Sequence, residues 1–279
     1  MQGLTHLDLF SGIGGFALGA QRAGIQTIAF SEINPFASKV LAKNFPSIPN
    51  LGDVRKLCRR TYDCEPIPDC FTEVYCPRCK TEFGECACIG TDQFTDTYGT
   101  PTIVTAGFPC QPFSLIGKQA GIDDPRNLWP EVSRILSELH PTWFIGENVP
   151  QFANVALDEV WADLESQGYE VQPFLLPACG VDARHKRERL WILGHANDAG
   201  PQGHPRDGIS REGREEQDRP TGPAGIPPGR TQGWSTEPEL GRVATRIPNR
   251  VDRLIGLGNS IVPQVAEQLF NLIKSCHQT

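Results

Sequence analysis

The N-terminal segment restricts the fold to a narrow class. His6-Leu7-Asp8-Leu9-Phe10 is a short apolar run of strand length, and it opens into a turn rich in glycine at Gly12, Gly14 and Gly15. Phe16 to Ala23 then reads as a helix and Gln26 to Phe30 as a second strand. A second helix starts at Pro35, a favoured first helical residue, and runs to about Asn44. Strand, helix and strand in that order argue a parallel sheet with crossover helices, an α/β doubly wound architecture. The rhythm resumes with a strand at 102–106, a helix near 127–139, strand Trp143-Phe144-Ile145-Gly146 and a helix near 155–167. Strands near 170–176 and 190–194 follow, and the amphipathic run from Val265 to Ile273 closes the chain as a helix.

Two segments interrupt the pattern. Residues 56–98 are rich in cysteine and poorly periodic, and read as an insert. Residues 197–241 hold many Gly, Pro, Arg and Glu and almost no aliphatics, so they can bury little apolar area. The expected organisation is one main domain from 1–195 plus 246–279, the insert at 56–98, and a short flexible segment at 196–245.

Composition agrees with one large domain, since 279 residues at 39% hydrophobic content can bury a sizeable core. No apolar run reaches the length of a membrane span, and the polar N-terminus carries no signal-peptide pattern. A cytoplasmic location without membrane contact is the expectation. Ten cysteines without a signal fit a reducing compartment better than a disulfide framework. The net charge of −7 is unevenly spread: residues 184–253 hold thirteen Lys or Arg against ten Asp or Glu, leaving −10 for the rest. That arginine-rich stretch suits either a polyanion or an ordinary solvated segment.

The most chemically informative stretch is Gly107-Phe108-Pro109-Cys110-Gln111-Pro112-Phe113-Ser114. It directly follows the strand-like Thr102-Ile103-Val104-Thr105-Ala106. A cysteine presented on a strand-end loop behind a proline reads as a nucleophile, although an isolated cysteine also packs well as a small hydrophobe.

The octet resembles the nucleophile loop of the DNA (cytosine-5) methyltransferases, and further motifs similar to theirs follow the family order. Asp8-Leu9-Phe10-Ser11-Gly12-Ile13-Gly14-Gly15-Phe16 resembles the cofactor loop, and Ser31-Glu32-Ile33-Asn34 the ribose-binding strand end. Gly52-Asp53-Val54-Arg55 resembles the adenine contact. Gly146-Glu147-Asn148-Val149-Pro150 resembles the catalytic acid motif, Arg187-Glu188-Arg189 the arginine motif, and Gly258-Asn259-Ser260-Ile261-Val262-Pro263 the closing motif. Where the family usually has Gln two residues before the first arginine, this chain has His185.

The resemblance implies a Rossmann-like, S-adenosylmethionine-dependent enzyme that methylates carbon 5 of cytosine in double-stranded DNA after base flipping. Cys110 would add to carbon 6, Glu147 would hold or protonate ring nitrogen 3, and Arg187 and Arg189 would meet the base carbonyl and support Glu147. The cofactor would lie against Phe10, Ser11, Gly12, Gly14, Gly15, Glu32 and Ile33, with Asp53 at the adenine and Asn259 and Ser260 completing the pocket. A turn or helix cap is the alternative reading of Asp53. The setting implied is restriction-modification or phage self-protection, with a cognate restriction enzyme as genetic partner and a monomeric enzyme.

The segment 196–245 falls where the family keeps its target-recognition region, and it is short for that purpose. Cys76, Cys79, Cys86 and Cys88 form two close pairs with a short loop between, a spacing that suits a structural zinc; unrelated reduced cysteines are the alternative. Two other functional readings stand beside the main one. A tRNA cytosine methyltransferase of the same fold typically carries Pro-Pro-Cys-Gln, whereas this chain has Phe108-Pro109-Cys110-Gln111. A decayed, zinc-containing DNA-binding module would not need Cys110, Glu147 or the arginine motif intact.

Overall fold

The computed structural model describes residues 3–57, 91–109, 127–196 and 250–277. Six strands form one sheet in the order β2-β1-β3-β4-β6-β5. Strands β1 (Thr5–Leu9), β2 (Gln26–Ser31), β3 (Ile103–Ala106) and β4 (Trp143–Asn148) pair in parallel. Strands β5 (Tyr169–Pro177) and β6 (Glu188–Ala196) are antiparallel to each other, and β6 is antiparallel to β4. The parallel pairing expected from the strand and helix alternation holds from β1 to β4 and gives way to antiparallel pairing at β5 and β6. Only the short 3-10 turn Ala178–Val181 separates β5 from β6, with no crossover helix, so the chain turns back beside itself.

Helices cover both faces. α3 (Thr91–Tyr98), α4 (Trp129–Leu139) and α5 (Leu157–Ser166) bury Phe94, Val132, Ile135, Leu136, Val160 and Leu164 against Leu7, Leu9, Val104 and Phe144. α1 (Gly15–Arg22) and α7 (Pro263–His277) cover the other face, where Phe16 and Ala20 meet Val265, Leu269, Phe270 and Ile273. Phe94 is fully buried, so α3 belongs to the main core although the cysteine-rich insert was expected to reach residue 98.

Local chemistry explains the helix starts. The Asn34 side chain caps α2 (Pro35–Asn44) by accepting from the amides of Phe36 and Ala37. Gly14 caps α1 at φ 88°, a conformation costly for any residue with a Cβ. α1 and α7 approach unusually closely: a Cβ on Gly19 would lie 2.8 Å from that of Ala266 and 2.9 Å from the Pro263 carbonyl.

The sheet order reverses between β1 and β3, because the chain adds β2 on one side of β1 and β3 on the other. Helices leave those strands on different faces there, which opens a crevice at their carboxyl ends. Residues 203–251 make up a second unit that lies almost wholly outside the described residues. Among the described residues no helix is long and apolar enough to cross a membrane.

Candidate active site

A cavity of about 390 Å³ occupies that crevice. Its walls are strand ends: Phe10 and Gly12 after β1, Ser31 to Asn34 at and after β2, Gly107 to Pro109 after β3, and Glu147 to Val149 at the end of β4. Asp53 and Arg55 add a further edge, and Asp252, Ile255, Gly256, Gly258 and Asn259 of α6 (Arg250–Asn259) add another. The volume falls in the range of ordinary small-ligand pockets.

At one end Glu32 ties two loops together. Its Oε2 accepts from the Gly12 amide and its Oε1 from the Asn34 amide, both at 2.7 Å. Asn50 braces the same turn: its Oδ1 accepts from the Glu32 and Gly52 amides, and its Nδ2 donates to the Glu32 carbonyl and Ser38 Oγ. Phe10 holds φ 56° at the mouth of the glycine loop. Asp53 fills the capping role and also faces the cavity. It caps the 3-10 turn Val54–Lys56 by accepting from the Arg55 amide at 3.0 Å. The Arg55 guanidinium grips the same carboxylate, with Nη2 to Oδ2 at 2.6 Å, which holds the Asp53 pKa below the usual carboxylate range.

At the other end Glu147 is buried, and Arg189 Nε lies 3.0 Å from its Oε1. Burial dominates and pushes the Glu147 pKa up to about 7, against the opposing charges of Arg189 and Arg187. Gly107 runs beside the same carboxyl: a Cβ built there would lie 3.7 Å from Glu147 Oε2. Asn148 Nδ2 donates to the Phe108 carbonyl at 3.2 Å while its Oδ1 accepts from the Val149 amide. Phe108 is itself packed against Trp129 and Phe152, with ring centroids 5.3 and 5.4 Å away.

Not every expected site residue lies on the cavity wall. Phe10, Gly12, Glu32, Ile33, Asp53, Glu147, Arg189 and Asn259 do. Ser11, Gly14, Gly15, Ser260 and Arg187 stand behind it. Ser11 Oγ bonds the Asp8 carbonyl, and a Cβ on Gly15 would meet Ile261 Cγ1 at 2.6 Å, so Gly15 is where the glycine loop packs on the segment after α6. Cys110, Cys76, Cys79, Cys86 and Cys88 lie outside the described residues, as does most of the 196–245 segment. Asn50 and the side chain of Asn148 have structural roles that the sequence did not reveal. The turn signal Pro49-Asn50-Leu51-Gly52 was the available clue for Asn50.

Beneath the glycine loop runs a buried polar ladder. His6 Nδ1 meets Thr27 Oγ1 at 2.9 Å and His6 Nε2 meets Thr105 Oγ1 at 2.8 Å. Thr105 Oγ1 then donates to Asp8 Oδ1 at 2.9 Å. Burial drives the His6 pKa down to about 3 and that of Asp8 up to about 8, so both stay uncharged at neutral pH.

The switch-point cavity, the acidic side chain at the end of β2 and the covering helices define a Rossmann-like methyltransferase domain. The solved S. pombe Dnmt2 methyltransferase shares this fold at a TM-score of 0.51 and 22% identity, over 70% of this chain and 51% of that one. The Entamoeba histolytica methyltransferase EhMeth does so at 0.51 and 18%, over 71% and 54%. The chain belongs to the C-5 cytosine-specific DNA methylase family, whose model matches residues 4–73 and 66–224. Relatives include the type II methyltransferases M.HhaI of Haemophilus parahaemolyticus (29% identical over 71% of this chain and 51% of that protein) and M.Eco47II of Escherichia coli (30%, 70% and 40%). M.HgiCII of Herpetosiphon aurantiacus is 29% identical over 70% of this chain and 38% of its own length. The chain spans about half, or less, of the length of these curated relatives.

Proposed function

We propose that this protein transfers a methyl group to carbon 5 of cytosine in DNA. The observation that carries the reading is the convergence of the strand end leading to Cys110 and the buried Glu147–Arg189 pair in one cavity with the Glu32 loop. The cofactor end fits S-adenosylmethionine. Glu32 keeps free lone pairs for ribose hydroxyls, Phe10 and Ile33 offer apolar surface, and Gly12, Gly52 and Gly258 have open space where a Cβ would stand. When bound, that group supplies an electrophilic methyl.

The chain's own residues prepare the base. The Cys110 thiolate adds to carbon 6, and Glu147, protonated at neutral pH to a useful degree, gives its proton to ring nitrogen 3 so that the electron pair reaches carbon 5. Arg189 holds the Glu147 carboxyl in place and presents donors toward the base carbonyl. After carbon 5 has taken the methyl group, a base (water or hydroxide) removes the carbon 5 proton, the thiolate leaves carbon 6, and the proton on ring nitrogen 3 returns to Glu147, which restores the aromatic ring. The target must leave the helix stack for this chemistry, so base flipping belongs to the proposal. The type II designation of the relatives supports a modification role beside a restriction enzyme.

DNA carrying 5-fluorocytosine at target sites tests the reading, because fluorine at carbon 5 blocks the final elimination and leaves the protein attached. Covalent complex is expected with the wild-type chain and none with Cys110→Ala; equal trapping by both removes Cys110 from its role. The zinc proposal for Cys76, Cys79, Cys86 and Cys88 rests on their spacing alone, and elemental analysis of protein purified without chelator tests it.

A further inference from the structure

We infer that the two arginines of the Arg187-Glu188-Arg189 motif divide their work. Arg189 serves the base end, and Arg187 is a positioning residue that holds the closing wall of the cofactor end. The inference deepens the proposed function and rests on its assignment of S-adenosylmethionine to the cavity.

Arg187 Nη2 donates to the Gly258 carbonyl at 2.7 Å and also to the Ser260 carbonyl. Those carbonyls flank Asn259, which lines the cavity, while Arg187 does not. A single guanidinium nitrogen therefore fixes the backbone on both sides of a pocket residue. The backbone of Arg187 sits at φ 30°, a left-handed conformation that an arginine adopts only when its surroundings impose it. From the opposite side the same segment rests on Gly15, where even a methyl group would collide with Ile261. The closing segment is thus gripped between the cofactor loop and the start of β6. Arg189, two residues along the same strand, instead reaches the cavity and Glu147. One strand end consequently registers the cofactor wall against the catalytic carboxyl.

The test uses the full chain and isothermal calorimetry with S-adenosylmethionine, alongside methyl transfer to DNA. Arg187→Ala is expected to raise the cofactor dissociation constant about tenfold, with the larger loss in KM for cofactor rather than in kcat. Arg187→Lys, which keeps a donor for the two carbonyls, is expected to recover most of that loss. In an Asn259→Ala background the effect of Arg187→Ala on cofactor affinity should shrink to about twofold, because the arginine acts through that loop. Arg189→Lys is expected to lower kcat and leave the cofactor dissociation constant near its wild-type value. A folded Arg187→Ala protein that binds cofactor as the wild type does, but loses turnover, overturns the inference. If Arg187→Ala does not fold, Arg187→Gln takes its place with the same two outcomes. A wild-type chain that binds no S-adenosylmethionine overturns the functional reading itself, and with it this one.

Discussion

Glu147 Oε1 sits 3.0 Å from Arg189 Nε, yet burial outweighs the ion pair and leaves the carboxyl with a pKa near 7. A carboxyl poised there can hold a proton for transfer at neutral pH, whereas an exposed one could not. Glu147→Gln should lower methyl transfer roughly a hundredfold or more while leaving cofactor affinity in place, as read by turnover and calorimetry. In the wild type, kcat/KM should fall as pH rises through about 7, because the protonated form is then lost. A flat profile from pH 6 to 8.5 would take the proton-donor role from Glu147.

The same residue makes stability depend on pH. Its folded pKa lies above its unfolded value of 4.5, so the native state holds the proton longer and stability declines as pH rises from there to about 7. Glu147→Gln, which cannot ionise, should therefore melt higher than the wild type at pH 8 and about level with it at pH 5. Calorimetric melting at the two pH values reads this directly.

Asp8 follows the same sign over a wider window, from its unfolded value of 3.8 to about 8. Its Oδ1 accepts from Thr105 at 2.9 Å, and the whole carboxyl is buried. Asp8→Asn preserves the acceptor and abolishes the titration. Denaturant unfolding at pH 6 and pH 9 should show the wild type losing stability between them and Asp8→Asn losing clearly less.

Glu32→Ala removes the acceptor for the Gly12 and Asn34 amides as well as the expected ribose contact. The cofactor dissociation constant should rise at least about tenfold, the scale of losing charged hydrogen bonds worth roughly 1.5–3 kcal/mol each. Unchanged affinity in calorimetry would relocate the cofactor end.

Gly19→Ala tests the helix contact behind the site. Its new methyl would meet Ala266 Cβ at 2.8 Å and backbone atoms of Pro263 and Glu267 at 2.9 and 3.0 Å, where nothing can yield cheaply. A loss of about 1–3 kcal/mol in denaturant unfolding is expected, the usual scale of overpacking.

Much of this was legible in the chain because the signals are local. Asn34 and Pro35 mark the start of α2, and the predicted span Pro35 to Asn44 matches the helix. Trp143-Phe144-Ile145-Gly146 reads as a buried strand and is one, extended through Asn148. Glu32 and Asp53 line the cavity, where their motifs lead one to look. What was hidden depends on partners distant in sequence. Nothing near Arg187 announces that it bonds carbonyls beyond residue 257, and nothing near Asn148 points to the Phe108 carbonyl. The antiparallel end of the sheet was missed because strand patterns carry no direction. Leu254 and Leu257 are apolar yet 58% and 64% exposed.

The docking of α7 on α1 has a consequence for biosynthesis. Lys274 Nζ bonds the Ala23 carbonyl, 251 residues back along the chain, and Phe16 and Ala20 have α7 as their cover. A nascent chain that has emerged only through β6 carries an uncovered apolar face on its first helix and lacks the α6 side of its cavity. Packing of the first helix must therefore wait until α7 has left the ribosome, and the cavity is completed only once α6 has emerged.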